Sequence, residues 1–452
     1  MRKILILGAG HSTPYAIRHL LEHAQELEAQ VTVADRSPQA AEARVAGHER
    51  GRAVQFDVHD ADQRRAEIAA ADVVLHFLPP VFQPLVASEC VELESHMISV
   101  SYRARELAEL DAEAARRGIL LLPEMGLDPG IDLMSARSMI EQIRSQGGRV
   151  ESFRSYGGGL PAPEKEINPL RYCITWNPRN VVMAAEDGAQ FLRGGRIRMV
   201  PWQRVFATTW DVEVPGLGTL EAYANRDSLT YVDALGLDGV EELVRGTLRY
   251  PGWCETWHQV VRLGLPNERI SVPRLAERTF AELVAMFVPP EIEGPSLRHR
   301  LAEWLGLEAE AESLDRLEWL GLFSEETIAC EGSEPAQALV ALFNRRLALP
   351  DDARDLVVLH HEIEAGYPDR RERLVSTFID RGEPGGVTAM AKSVGLPAAL
   401  AARRLLEDRL PLTGSRLPTE AVVYEPILEE LARQGLVFQE KVEEIAGETV
   451  SR

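Results

Sequence analysis

Six short runs rich in branched aliphatic residues, KILILG, VTVADR, AVQFDV, DVVLHFL, HMISVSY and ILLLPE, recur through the first 125 residues, each separated from the next by a polar stretch. Near-continuous apolar runs of this length read as strands buried on both faces, so the pattern predicts a parallel, doubly wound sheet covered by helices. The intervening PQAAEARVAGHE, ADQRRAEIAA and ARELAELDAEAARRG are expected helices, the last closing at Gly118. HDAD at 59–62 stands between a strand and a helix, where acidic residues serve as N-terminal caps. A sheet of this kind places its ligands outside the carboxyl ends of its strands, which limits where chemistry can occur.

Beyond residue 150 the texture changes: RVESFRSY and VFATTWDVEV read as strands, and SYGGGLPAPEKEINP as a loop rich in glycine and proline. A second α/β region is expected to begin there. Residues 295–348 are acidic and helical in pattern, with Leu and Trp in LEAEAESLDRLEWLGLF spaced by three and four along one buried stripe. ARDLVVLHHEIEAGY and ERLVSTFIDRG return to strand. The Ala-rich GGVTAMAKSVGLPAALAARRLLED is helical and is expected to pack back near the first region.

A chain of 452 residues exceeds what one core organises, so two or three domains are expected. The formal charge of −21 argues against a nucleic-acid or anionic-membrane partner, since both need a basic face. No run approaches the roughly 20 apolar residues that cross a bilayer. MRKILILGAG reads as a first strand rather than a signal segment, because glycine and a polar helix follow at once. Cys90, Cys173, Cys254 and Cys330 lie far apart without a CxxC pair, which points to neither a zinc site nor a disulfide framework and fits a reducing cytoplasm. In so acidic a chain, an anionic substrate demands a local arginine cluster.

ILILGAGHSTPYAIRHLL places Gly8 and Gly10 between a strand and an amphipathic helix, with Thr13 at the third glycine position and Pro14 in the first helical turn. In that context a GxG turn points to a dinucleotide whose pyrophosphate meets the helix N-terminus. Asp35 ends the second strand, where a carboxylate holds ribose hydroxyls and favours NAD. Arg36 and Ser37 argue for NADP, because they can cradle a 2′-phosphate if Asp35 is turned aside. The expected cofactor is therefore NAD(P), with its preference open.

Together LGAG, FDVHD, SVSY, EMGLDPGID, SYGGGLPAPE, NPLRY, YANRDS, RGTLRY, RDLVVLHH and GGVTAMAKSVGLP make the chain resemble the saccharopine dehydrogenase family of the glutamate-forming type. The resemblance runs from about residue 3 to residue 440. It implies a Rossmann-type NAD(P)-binding domain over 1–130 and an α/β substrate-binding and dimerisation domain over 131–290 and 350–385. An inserted helical domain over 291–349 and C-terminal helices over 386–452 complete the expected plan of a homodimer. The implied reaction interconverts saccharopine and water with L-glutamate and 2-aminoadipate 6-semialdehyde.

That substrate is an amino acid with several carboxylates, so paired-donor arginines are needed; Arg226, Arg245 and Arg249 supply the expected cluster. By resemblance the substrate is bound by Ser101, Tyr102, Asp128, Arg226, Thr247, Leu248 and Arg249, with Asp128 and Tyr102 as catalytic proton-handling groups. Cofactor positions carried over in the same way are Gly8, Gly10, His11, Ser12, Asp35, Arg36, Ser37, Asp57, Val58, Leu78, Ser99, Val100 and Asn177. Gly157 and Leu133 depart from fungal relatives, which carry cysteine and histidine there; loss of two polar groups near the site either changes the amine or aldehyde accepted or reflects only distance between branches of the family. Two rival readings follow: a related reductase joining a different amino acid and aldehyde, of polyamine or opine type, and a non-catalytic nucleotide sensor.

Two acidic or histidine clusters remain. His360, His361 and Glu362 are adjacent on an expected strand and face opposite ways, so no metal is expected from them. PEMGLDPGID carries Glu124, Asp128 and Asp132 without histidine or cysteine, which also argues against a metal. DPG there reads as a helix start, with Asp128 as cap and Pro129 at the first helical position, while Glu124 and Asp132 hold the loop in shape.

Overall fold

In a computed structural model, residues 1–445 are described. The chain divides into two compact units, the first formed by Met1–Val150, Asp233–Leu237 and Ala365–Arg452 and the second by Glu151–Val232 and Asp238–Glu364.

The first unit is built on the parallel sheet read from the sequence. Its strands are β1 (Arg2–Leu7), β2 (Ala29–Asp35), β3 (Gly51–Gln55), β4 (Val73–His76), β5 (His96–Ser99) and β6 (Leu120–Leu122). They lie in the order β6-β5-β4-β1-β2-β3, every pair parallel. The order reverses between β1 and β4, so a crevice opens at their carboxyl ends. The two-residue strand Gly414–Ser415 extends the sheet beside β6, an addition too short to leave a period in the sequence. Leu5, Leu7, Val74, Met97 and Leu121 are fully buried with Val86, Ala87 and Cys90 in one apolar cluster.

Helices α1 (Pro14–Glu22), α2 (Pro38–Val45), α3 (Ala61–Ala69), α4 (Gln83–Glu92), α5 (Arg105–Glu109), α6 (Asp111–Arg116) and α7 (Ile131–Ser145) cover it. Each expected start has its physical cause: Pro14 stands in the first turn of α1, and the Asp60 carboxylate accepts the Gln63 N–H at α3. The expected single helix after β5 is two short ones, α5 and α6, meeting at Leu110. A second correction concerns α7. Its cap is Gly130 and its first residue Ile131, so Pro129 is not helical and Asp128 is not the N-cap residue.

In the second unit β7 (Arg149–Pro161), β8 (Ala189–Arg193), β9 (Arg196–Val200), β10 (Thr209–Val214), β11 (Gly218–Ala224), β12 (Glu242–Arg249) and β13 (Asp355–Gly366) form a mixed sheet in the order β10-β11-β12-β7-β13, with the hairpin β8/β9 attached to β12. The expected glycine-rich loop at GGGLP is instead the end of β7. Glycine suits a strand here because neighbours crowd in: a Cβ at Gly158 would stand 3.1 Å from Leu248 Cβ. Trp253 and Trp257 anchor a core that takes in helices Leu297–Leu305, Glu312–Leu320 and Pro335–Arg346, so the acidic helical stretch shares its interior with the sheet.

The Ala-rich sequence forms the helix Ala389–Leu406, buried along most of its length and packed on α1. Its Gly395 meets the loop that starts α1: an added Cβ would lie 2.9 Å from Ala16 N and 3.3 Å from Ser12 O. Gly395→Val is therefore expected to force the two helices apart and to cost ~1–3 kcal/mol of unfolding free energy. Urea denaturation checks this; unchanged stability would mean that the helices have room to separate.

Candidate active site

The carboxyl end of β1 turns at Gly8, whose φ of +109° suits glycine and whose N–H donates to Ala34 O at 2.8 Å. A Cβ at Gly8 would press on Phe77 O at 3.3 Å, whereas a Cβ at Gly10 would meet nothing within 4 Å. Thr13, standing where the third glycine would be, closes the turn with a hydroxyl bond to Gly10 O at 2.9 Å. This is a tight turn with open space above it at the start of a helix, and it fits the pyrophosphate of a dinucleotide. His11 and Ser12 lie on that turn, and the His11 imidazole is held below its ordinary range, by burial first and by the Arg44 charge second.

Asp35 is turned into the loop. Its two carboxylate oxygens accept the N–H groups of Ala9 (2.8 Å) and Ser37 (2.9 Å). Ser37 in turn caps α2, accepting the Ala40 N–H at 3.2 Å, and Arg36 beside it is exposed. The loop after β3 is fixed likewise: Asp57 accepts the His59 N–H at 2.9 Å, and the buried Val58 offers its carbonyl to Arg64. Arg64 is held by a buried two-bond pair to Glu89, each contact 2.7 Å. Leu78 follows β4, half-buried on the apolar cluster below.

At the ends of β4 and β5 a buried polar network forms that the sequence did not announce. Ser99 Oγ accepts Gln83 Nε2–H at 2.8 Å and Ser101 N–H at 3.3 Å, and stands 3.3 Å from His76 Nδ1. With both lone pairs of Ser99 engaged, its hydroxyl hydrogen is left for His76 Nδ1, which requires the neutral imidazole protonated on Nε2. Gln83 Oε1 accepts the Ala104 N–H at 2.9 Å, so the network holds the whole 99–104 turn. Gln83 lies seven residues past His76 on a different element, a separation that gives no local signal.

Above this network the chain from β6 folds back. Met125 N–H donates to Ser99 O (2.9 Å) and Glu124 N–H to Ser101 O (3.0 Å), while the Glu124 carboxylate accepts the Arg103 N–H at 2.9 Å. Gly126 lies against Val100, where a Cβ would stand 3.1 Å from its carbonyl oxygen. The Asp128–Pro129 peptide is cis, and Asp132 accepts the Gly130 N–H at 2.7 Å. The turn brings two of the expected site residues together: Tyr102 Oη donates to Asp128 Oδ1 at 2.8 Å, both half-buried.

The second unit holds Arg226, Arg245 and Arg249, each in its own surroundings. The pairing Glu221↔Arg249 and Ala224↔Gly246 puts the backbone of Arg226 up to roughly 17 Å from that of Arg249 at ordinary strand rise. Arg226, with φ of +49°, lies 3.8 Å from Asp187 and is substantially exposed. Arg245 is buried with its guanidinium 4.0 Å from the centre of the Tyr231 ring. Arg249 is buried among Tyr172 (4.9 Å), Trp253 (4.9 Å) and Tyr223 (5.8 Å), with one bond to Leu248 O at 2.8 Å and no carboxylate partner among the described residues. Thr247 faces Tyr223 across the β11/β12 pair. Asn177 caps the short helix Pro178–Val182 by accepting the Arg179 N–H at 3.0 Å. His360 stacks toward Tyr156 and His361 toward Phe153, on opposite sides of β13.

A parallel sheet with a glycine turn at its switch point and a tyrosine–carboxylate pair at its carboxyl edge defines a dinucleotide-dependent oxidoreductase. Comparison with known proteins carries this further. Residues 4–122 match the family described as the saccharopine dehydrogenase NADP binding domain, and residues 126–436 the saccharopine dehydrogenase C-terminal domain. A saccharopine dehydrogenase [NADP(+), L-glutamate-forming] from Pyricularia oryzae is 32% identical over 452 residues, covering 98% of this chain and 99% of that protein. The alpha-aminoadipic semialdehyde synthase of Arabidopsis thaliana is 34% identical over 86% of this chain and 38% of its own length. The structure of apo histidine-tagged saccharopine dehydrogenase (L-Glu forming) from Saccharomyces cerevisiae superposes with a TM-score of 0.85 at 29% identity, over 98% of this chain and 100% of that one. The chain belongs to the saccharopine dehydrogenase family.

His76 offers a test of the buried network. It is fully buried, and burial lowers its pKa from 6.5 to about 4. The unfolded chain therefore takes up a proton before the folded one, so the His76 contribution is complete above pH 6.5 and is lost as pH falls toward 4. In urea denaturation across that window, His76→Gln is expected to flatten the fall in stability, by ~1.4 kcal/mol per pH unit at most. Equal slopes in the two proteins would show that the imidazole takes up its proton alike in the folded and unfolded chain.

Proposed function

We propose that this protein is an NADP-dependent, L-glutamate-forming saccharopine dehydrogenase. The observation that carries the reading is the Tyr102–Asp128 hydrogen bond at the carboxyl edge of the sheet that bears the glycine turn. NADP is favoured over NAD because both Asp35 oxygens are engaged by backbone amides, leaving Arg36 and Ser37 at the ribose position. Gly8, Gly10, His11 and Ser12 hold the pyrophosphate side, Asp57, Val58 and Leu78 the adenine side, and Ser99, Val100 and Asn177 the nicotinamide side. When bound, the cofactor supplies the acceptor for a hydride from the carbon beside the secondary amine.

The chain's own residues then handle protons and carboxylates. Asp128 takes the proton of the substrate amine, so that the nitrogen lone pair is free to form the imine as hydride departs. Tyr102 fixes the orientation of that carboxylate through its hydroxyl. After water adds to the imine carbon, a proton reaches the nitrogen through Asp128, and the carbon–nitrogen bond breaks to give glutamate and the aldehyde. Arg226, Thr247 and Arg249 receive substrate carboxylates, Leu248 shapes the wall, and Ser101 binds beside Tyr102. Arg249 suits this part because its buried guanidinium faces aromatic rings rather than an acid.

Of the two departures from fungal sequences, Leu133 is buried within α7 and Gly157 within β7. We further assign a cytoplasmic homodimer without nucleic-acid or membrane partners. Among the described residues no helix is long and apolar enough to cross a membrane.

A spectrophotometric assay with saccharopine and NADP is expected to yield reduced cofactor; signal only with another secondary amine would select the polyamine or opine type of reductase, and silence with cofactor bound would select a nucleotide sensor. Asp128→Asn is expected to lower turnover by about 100- to 10,000-fold. Near-full turnover of that variant across pH would remove Asp128 from the proton path.

A further inference from the structure

We propose that Arg44 is a second guanidinium for the 2′-phosphate of NADP, acting with Arg36 at the turn after β2. The inference deepens the NADP reading above and rests on it. In a chain of net charge −21, several arginines of the first unit are matched to acids, Arg52 to Glu67, Arg64 to Glu89 and Arg65 to Glu92, while Arg50, among the described residues, is not. Arg36 and Arg44 have no acidic partner among the described residues.

Arg44 lies in the last turn of α2, half-buried. Long side chains on a helix run back toward its N-terminus, and this one reaches the glycine turn, where its Nε donates to Ala9 O at 3.3 Å. The same Ala9 gives its N–H to Asp35, so the turn that Arg44 braces is the one that holds the Asp35 carboxylate. Its charge is felt by His11, and burial lowers its own pKa. A desolvated guanidinium without a counter-ion is relieved by an incoming anion, and a phosphate matches its planar donor fork.

The test is equilibrium binding to the full chain, followed by protein fluorescence, with NADPH, NADH and 2′,5′-ADP as ligands. Arg44→Ala is expected to weaken NADPH and 2′,5′-ADP about 10- to 100-fold and to leave NADH within about twofold. Arg44→Gln keeps a donor for Ala9 O without the charge and is expected to show the same selective loss, which separates phosphate binding from support of the loop. Equal loss of NADPH and NADH in both variants assigns Arg44 to bracing the loop and overturns the proposal, as does unchanged NADPH binding. Wild-type protein that binds NADH as tightly as NADPH refutes the NADP reading itself and the inference with it, a result visible before any variant is made.

Discussion

The candidate site depends on two backbone hydrogen bonds that carry the pairing of β5 and β6 past the ends of the strands. Met125 N–H to Ser99 O and Glu124 N–H to Ser101 O hold the chain leaving β6 against the chain leaving β5. Buried backbone groups must be paired, so this register is not free to slide. Beyond it the chain reverses within a few residues, with Gly126 N–H bonded to Pro129 O and Ile131 N–H to Gly126 O, both 3.0 Å. Only glycine admits that reversal: a Cβ at Gly130 would stand 2.0 Å from Gly126 O. Asp128 is thereby delivered to Tyr102, and below them Ser99, Gln83 and His76 fix the other side of the same turn.

The treatment of charge differs between the two units. In the first, acids are spent on amides: Asp35, Asp57, Glu124 and Asp132 each accept backbone N–H groups and fix loops. In the second, Arg249 is buried without an acid. The rings around it return about 2 kcal/mol for a desolvated cation, against a burial cost of several kcal/mol. The remainder is a penalty that a packed apolar residue would not incur. That imbalance is what supports the proposal of a substrate carboxylate as its partner.

Much of this was legible in the sequence, for reasons that differ by element. The six parallel strands show as apolar runs because both faces are buried, and the starts of α1 and α3 show because Pro14 and Asp60 are local signals. The start of α7 was misread: DPG satisfies the rules for a cap followed by proline, but tertiary bonds fold these residues into the reversed loop instead. GGGLP was misread as loop because glycine content is a local cue, whereas its cause is the approach of Leu248 from β12. The arginines stand out by type in an acidic chain, whereas their spacing is set by the register of β11 and β12, which leaves no local signal. Tyr102 and Asp128 were both named, yet their hydrogen bond depends on contacts across 26 positions. Gln83, His76 and Arg44 leave no local signal, because each bonds to partners distant in sequence.

The glycine turn is held from above as well as from below. Phe77 and Ala34 support it from the sheet, and Gly395 of the long helix Ala389–Leu406 presses against Ser12 and Ala16 from the other side. Thr388 starts that helix by accepting the Ala391 N–H at 3.0 Å, and the lack of a side chain at Gly395 permits the close approach. A segment almost 400 residues along the chain thus sets the position of the first helical turn. If the pyrophosphate binds at that turn as proposed above, the helix Ala389–Leu406 acts on cofactor binding through the position of the turn.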